Sequence, residues 1–316
     1  MSEFRLMCDS GAHSYFERNV RNKTGIYDRH LWNWDAFKEP VFHEFLMDYI
    51  LFLKENKDKI TTAVSLDAIY DPETSYGIYC YMKYGHGLDV LPVYHFAEDI
   101  KWFQLYMQHT DYIGISGLGQ GIPKQDYYEW VNQVFELICD KQTGIPQWKI
   151  HGFALTSVEV MVKYPFYSVD SSSWVQFSRF GKIMVPQLIN GVYDYTKKPL
   201  DIFVSNRGTK DVREGNHIDH CSELTRKYVV DYLSSLGLVI GKSTFKEEEP
   251  LYQAKENESI VSTTKEKRII ETYIEKGVAN RHDYRDIVNS LYYTRVAECV
   301  PPWPWAWKPQ RRGKIV

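Results

Sequence analysis

Short apolar runs alternate with amphipathic stretches through the first two-thirds of this chain, and polar, chemistry-bearing residues come directly after the runs. No other feature constrains the fold as much. Repeated strand–helix units bury their apolar surface best as a parallel sheet with helices outside it. Expected strands are Phe4–Cys8, Ala63–Leu66, Leu91–Tyr94, Tyr112–Ile115, Lys149–Phe153, Phe166–Val169 and Ile183–Pro186, with a weaker eighth at Asp201–Ser205. Between them Phe42, Phe45, Leu46, Tyr49, Ile50 and Leu53 recur at helical spacing, as do Tyr127, Trp130, Val131, Val134 and Ile138. The expected class is therefore α/β, a (β/α)8 TIM barrel over residues 1–215.

Beyond residue 215 the pattern predicts a helical C-terminal extension, residues 216–300, packed on the barrel. Asp219 is placed to cap a helix with apolar positions at Leu224, Tyr228, Val229 and Leu233, and Gly237 to stop it. Gly241–Thr264 reads as an exposed loop, followed by helices near Lys265–Lys276 and His282–Glu298. Residues 301–316, PPWPWAWKPQRRGKIV, form a Pro/Trp/basic tail in which four prolines forbid a regular helix.

Composition narrows the function classes. With 44% hydrophobic and 25% charged residues the chain is not disordered throughout, and its apolar runs stop short of the roughly 18–20 residues a membrane helix needs. Net charge is −3, so a polyanionic partner has to be held by a local patch. The five cysteines form no CxxC and suit a reducing compartment. The opening MSEFRLMCDSG lacks the basic-then-apolar layout of a secretory signal, and a cytoplasmic location is expected.

The functional signal lies just past each strand. Strand one runs into Asp9-Ser10-Gly11-Ala12-His13, strand two ends at Asp67, strand three at His95 and strand four at Ser116-Gly117-Leu118-Gly119. Strand five carries His151-Gly152, and strand six ends at Asp170-Ser171-Ser172-Ser173-Trp174. In a barrel these tips share one face, the face on which barrel enzymes carry their sites. One Asp after a strand is ordinarily a helix cap; three Asp and two His in the same slot point to a mouth that does chemistry. Such carboxylates can bind a cation, divide acid and base roles, or supply a nucleophile. Asp67, His95 and His151 lack HxH or HExxH spacing, and His217-Ile218-Asp219-His220-Cys221 lacks a second Cys/His pair for zinc, so no metal is expected.

At these residues the chain resembles the tRNA-guanine transglycosylase superfamily. Asp9-Ser10-Gly11-Ala12 is similar to its DSGG/DSGA motif. Lys149-Ile150-His151-Gly152 with Tyr164-Pro165-Phe166-Tyr167-Ser168-Val169-Asp170-Ser171-Ser172-Ser173-Trp174 resembles the phage-type DNA 7-deazaguanine transglycosylases (DpdA-like). Leu66-Asp67-Ala68-Ile69, Pro92–His95 and the Ser116-Gly117-Leu118-Gly119 turn fall in order between these motifs, whereas nothing after residue 240 matches. The resemblance implies a TIM barrel that exchanges guanine for a 7-deazaguanine base such as preQ0 in DNA, without cofactor. Asp170 matches the nucleophile that attacks C1′ and Asp9 the general acid/base. Asp67 matches the reader of the base edge, with His95, Ser116, Gly117, Leu118, His151, Gly152, Ser10 and His13 around the base. His13 replaces an aromatic stacking residue, a role open to Tyr15 instead. The tRNA enzymes' Cys₃His zinc site has no counterpart, which favours DNA over tRNA.

A base inside a duplex is out of reach of a barrel floor, so the target nucleotide is expected flipped out or single-stranded. Arg207, Lys210 and Arg213, and the tail residues Lys308, Arg311, Arg312 and Lys314, are the candidate backbone contacts; Trp303, Trp305 and Trp307 are expected either to stack bases or to pack the tail on the barrel. The same chemistry on tRNA, a non-catalytic nucleic-acid-binding barrel and a metal-dependent hydrolase are the alternatives. If the gene is of phage origin, the setting is the host cytoplasm.

Overall fold

The structure is a computed structural model that describes residues 6–21, 32–117, 122–207 and 217–309. It is a mixed α/β chain with parallel sheets and helices, and its contacts divide it into two compact units. The first comprises residues 1–155, 164–170 and 303–316; the second comprises 156–163 and 171–302. These units do not follow the expected boundary at residue 215. Among the described residues no helix is long and apolar enough to cross a membrane, and all five cysteines are free thiols.

The first unit is built on parallel strands laid side by side in chain order. They are β1 (Met7–Cys8), β2 (Thr62–Val64), β3 (Val90–Leu91), β4 (Val93–His95), β5 (Tyr112–Ser116), β6 (Lys149–Gly152) and β7 (Ser168–Val169). β3 and β4 are two halves of one segment broken at Pro92, which has no N–H to give. Its carbonyl still accepts from Gly114 N at 2.8 Å, so the segment pairs β2 on one side and β5 on the other. Helices α1 (Ala12–Tyr15), α2 (Pro40–Glu55), α3 (Pro72–Cys80), α4 (Ile100–Met107) and α5 (Lys124–Ile138) lie in the connections. The stripes expected on α2 and α5 are the buried ones, apart from Phe45, which escapes full burial. This sequential parallel order, with helical crossovers, is what the alternating pattern demanded.

The expected seventh and eighth strands behave differently. In the second unit β8 (Lys182–Val185) pairs antiparallel with β11 (Leu200–Phe203). The intervening chain forms the hairpin β9 (Gln187–Ile189) and β10 (Val192–Asp194) in place of a crossover helix. Its turn, Asn190-Gly191, takes positive φ at both residues, as a two-residue hairpin requires. Parallel neighbours need a long crossover; a hairpin connection brings the chain back antiparallel.

Helices α6 (Val158–Lys163), α7 (Ser173–Arg179), α8 (Glu223–Ser235) and α9 (His282–Cys299) belong to this unit. Its core gathers Ile183, Val185, Ile202, Val204, Val229 and Leu233. Ser222, not Asp219, caps α8 by accepting from Thr225 N at 3.2 Å, and Leu224 faces solvent. The extension is not wholly helical. β12 (Lys242–Glu248) and β13 (Glu258–Thr263) flank β14 (Arg268–Glu275) in an antiparallel sheet. They occupy the expected loop and the expected helix at Lys265–Lys276. Arg268-Ile269-Ile270-Glu271-Thr272-Tyr273-Ile274 is dense in β-branched and aromatic side chains, which outweighs its helical spacing.

Candidate functional site

Asp9, Asp67, His95, Ser116, His151 and Asp170 lie in or next to the C-terminal ends of β1, β2, β4, β5, β6 and β7. All belong to the first unit. Parallel register puts those ends on one edge of the sheet, so the residues singled out from sequence share an edge because of chain direction alone. Asp9 and Asp170 are exposed there, Asp170 with 58% of its side chain open, while Asp67, His95 and His151 are buried.

Neither exposed carboxylate is a helix cap. Asp9 Oδ1 accepts the neighbouring Ser10 N–H at 2.8 Å, and the N–H of Ala12, which opens α1, goes to Ser10 Oγ. Gly11 makes this turn possible with a left-handed φ of 76°. Asp170 Oδ1 accepts Ala154 N–H at 2.8 Å, and Ser173 N at the start of α7 is taken by Ser171 Oγ. Asp67 caps nothing either, because Asp71 caps α3.

The two carboxylates are pushed in opposite directions. Burial raises Asp9, its bond to Ser10 N–H opposes that, and the negative charges of Asp67 and Asp170 add to the rise. Asp170 is also pushed up by burial, but the His151 imidazole and the Ala154 N–H outweigh this and hold it below the ordinary carboxylate range. A pair driven apart in this way can divide labour between an ionised group and a protonated one.

Behind them sit two imidazole clusters. His95 Nε2 is 2.6 Å from Asp67 Oδ2, and the His95 N–H donates to Glu98 Oε2 at 3.0 Å. Burial lowers the His95 pKa, but Asp67 and then Glu98 more than offset this and raise it overall. His95 therefore engages Asp67 directly, whereas the resemblance implies a contact with the base. Tyr70, just past Asp67, has a left-handed φ of 68°, and its ring lies 6.2 Å from that of His95. In the second cluster His151 Nδ1 is 2.7 Å from Ser168 Oγ, which is 2.6 Å from Tyr112 OH. His151 Nε2 points the other way, 3.5 Å from Asp170 Oδ1. Serine, histidine and aspartate are the residue types of a hydrolase triad, but here Asp170 is the most exposed member and the Ser168 hydroxyl is engaged by Tyr112 OH.

The glycines of the site are packing requirements. A Cβ on Gly117 would lie 2.4 Å from the Phe96 Cβ, and one on Gly152 3.0–3.2 Å from Leu155 and Phe166. Gly117→Ala is expected to cost about 1–3 kcal/mol, because two stiff Cβ positions have to separate. Chemical denaturation checks this; an unchanged midpoint would show that β5 yields freely there. A cavity of about 700 Å³ reaches His151, Ser168 and Asp170 from the N-terminal side of the strands, with Thr62, Asp111 and Lys149 along its rim. Asp9, Asp67 and His95 are not in its lining, so the carboxylate edge and not this cavity defines the candidate site.

Other expectations divide. Ser10 is buried and His13 is exposed on α1. Tyr15 is unavailable for stacking on a ligand, since its buried ring stacks on Phe45 and its hydroxyl donates to Ala36 O. Arg207, in the second unit, commits its guanidinium to Glu271 Oε2 at 2.5 Å, to Ser259 Oγ and to Tyr273 OH. Glu271 is fully buried, so a phosphate there would compete with an ion pair already formed. Trp307 is buried against Phe135 and Tyr164, and Trp303 meets Tyr167 edge to face, which makes these tail tryptophans packing elements; Lys308 is exposed. Leu118, Lys210, Arg213, Arg311, Arg312 and Lys314 lie outside the described residues. Among the described residues no three His, Cys, Asp or Glu side chains converge as a metal site would require. His217 instead contacts Ser205 O and Asp219.

No family model, no curated protein and no solved structure matches this chain. The fold and the carboxylate edge define a mixed α/β protein whose parallel strands present two exposed, oppositely perturbed aspartates.

Proposed function

We propose that this chain is a DNA-guanine transglycosylase, a pentosyltransferase that replaces guanine in DNA with a 7-deazaguanine base through a covalent aspartyl-sugar intermediate. The observation that carries the reading is the pair Asp9 and Asp170, exposed on the same sheet edge and perturbed in opposite directions. The six motifs that resemble the family fall on successive parallel strand ends, which supports a barrel-type active face. A complete (β/α)8 barrel is part of the proposal, with the antiparallel β8–β11 pair as its departure from the regular pattern.

In the first half-reaction an Asp170 oxygen lone pair attacks C1′. The C1′–N9 bond breaks, its electron pair leaves on guanine, and Asp9 supplies the proton the leaving base needs. In the second half N9 of the incoming base attacks C1′, the C1′–O bond returns its pair to Asp170, and the N9 proton passes to Asp9. Two displacements retain the configuration at C1′. Asp67, held by His95, is the acceptor for the N–H edge of the base.

Incubation with guanine-containing DNA and labelled preQ0 tests the proposal, with Asp9→Asn as the comparison and with a chelator in a parallel arm. Incorporation by the parent chain alone, indifferent to the chelator, is expected; incorporation into tRNA but not DNA would transfer the same chemistry to that substrate. The pH profile of kcat/KM should be a bell. Activity falls as pH drops through the depressed Asp170 value, because the nucleophile becomes protonated. It falls again as pH rises through the elevated Asp9 value, because the acid is lost. A profile without an alkaline limb would remove Asp9 from the acid role.

A further inference from the structure

His151 lies at the centre of the second imidazole cluster, 2% exposed, with its two ring nitrogens facing in different directions. Its Nδ1 is fixed at 2.7 Å by Ser168 Oγ. Its Nε2 is buried without a formed hydrogen bond, and Asp170 Oδ1 is 3.5 Å away. A neutral imidazole has one N–H. If that proton were on Nδ1, the Nε2 lone pair would face a carboxylate oxygen 3.5 Å away, which is repulsive. In a neutral ring the geometry therefore favours the tautomer with its proton on Nε2. Ser168 then donates to Nδ1, and Tyr112 OH, at 2.6 Å, donates to Ser168 Oγ.

The strands build this chain of donors through register. His151 pairs with Gly114 on β5 and with Ser168 on β7. Tyr112 sits two residues before Gly114 and so on the same sheet face. A Cβ on Gly114 would come within 2.4 Å of Phe153, whose ring packs edge to face on His151 at 4.3 Å. One side of the imidazole is thus walled by an aromatic ring, and both nitrogens are aimed.

We propose that Tyr112, Ser168 and His151 form a hydrogen-bonded relay whose function is to present the His151 Nε2–H to Asp170, making all three positioning residues for the carboxylate nucleophile. This rests on the base-exchange reading and adds residues to its site. The donor keeps Asp170 ionised and leaves its other oxygen free to attack C1′. It also receives the carboxylate when the C1′–O bond breaks in the second half-reaction. The relay requires the 3.5 Å separation to shorten in the substrate complex, which a small movement of the exposed Asp170 side chain allows.

The ionisable groups around Asp170 keep the test interpretable. Asp9, at the end of β1, is close enough for the two charges to be felt. His151 is on β6, and Tyr112 on β5 acts through Ser168. Lys149, at the opposite end of β6, is paired with Asp111 at 2.9 Å. A change in the acid limb on altering Ser168 therefore reports on the His151–Asp170 contact.

The experiment uses the full chain with guanine-containing DNA and labelled preQ0. It compares Ser168→Ala, Ser168→Thr, Tyr112→Phe and His151→Leu with the parent. Ser168→Ala should lower kcat about 10–100-fold, the size of effect found for outer partners that orient metal ligands, with little change in KM. Its acid limb should move to higher pH. Ser168→Thr, which keeps the hydroxyl, should restore both. Tyr112→Phe should do less than Ser168→Ala, and His151→Leu more. ¹⁵N NMR of the His151 ring reads the relay without relying on activity: the Nε2–H tautomer should dominate in the parent and lose that dominance in Ser168→Ala. An Nδ1–H tautomer in the parent, or a Ser168→Ala pH profile that overlays the parent's, would overturn the relay. A parent chain with the Nε2–H tautomer and no exchange on any nucleic acid would bring down the base-exchange reading, and the nucleophile-positioning role with it, while leaving the hydrogen-bond geometry standing.

Discussion

Asp170→Asn is expected to lower base exchange by about 10⁴-fold or more and to leave no covalent protein–DNA adduct, in a protein that folds as the parent does. The expectation comes from where the side chain sits. It is 58% exposed and packs into no apolar core. The hydrogen bond from Ala154 N–H to its Oδ1 can still be accepted by an amide oxygen, though without the help of the charge. Stability should therefore fall by only about 1 kcal/mol, the order of one weakened hydrogen bond. The chemistry has no such substitute, because the amide nitrogen carries no lone pair free to attack C1′ and the amide oxygen carries no charge. Single-turnover assays with denaturing electrophoresis of the adduct, alongside thermal melting, would check this. Residual exchange within tenfold of the parent would remove Asp170 from the nucleophile role, and a collapsed melting transition would show that its contact with Ala154 is structural.

Much of this site was legible because chain direction is legible. Once the strand–helix alternation is read as parallel, Asp9, Asp67, His95, His151 and Asp170 all fall toward one edge, and β1 to β7 bear this out. The roles of Ser168 and Tyr112 were not readable, since they arise from lateral register. Ser168 matters because it lies opposite His151, and Tyr112 because its same-face neighbour on β5, Gly114, also lies opposite His151; no spacing along one strand encodes either. Glu98 reaches back to the His95 N–H from the turn after β4, where Ala97 holds a φ of 67°. The pairing of β8 with β11 did have a signal, the Asn190-Gly191 turn, and that signal argued against a helical crossover. β14 was missed for a different reason. Ile269, Ile270, Tyr273 and Ile274 fit a helical stripe as well as a strand, and only their β-branched and aromatic character separates the two.

The Asp67–His95 pair is expected to contribute a buried, pH-dependent stabilisation. Asp67→Ala should cost about 3–5 kcal/mol, the penalty for removing one partner of a buried pair and leaving the other uncompensated. The loss should depend on pH. In the parent, Asp67 and Glu98 raise the His95 value above its ordinary one despite the opposing effect of burial. A raised histidine contributes stability that is fully present below the unfolded value of about 6.5, and that contribution fades as pH climbs through the folded value. In Asp67→Ala the main compensating charge is gone, burial disfavours the imidazolium, and protonation on the acid side works against the fold. The gap between parent and variant should therefore be widest below about pH 6.5 and narrow as pH rises. Adding His95→Leu should recover part of the loss, because it removes the stranded imidazole itself; the recovery measures the coupling between the two residues. A gap independent of pH, or a double variant whose losses simply add, would mean that the 2.6 Å contact carries no ionic stabilisation. Asp67 would then be held by the surrounding packing, and His95 would be free for the base contact first expected of it.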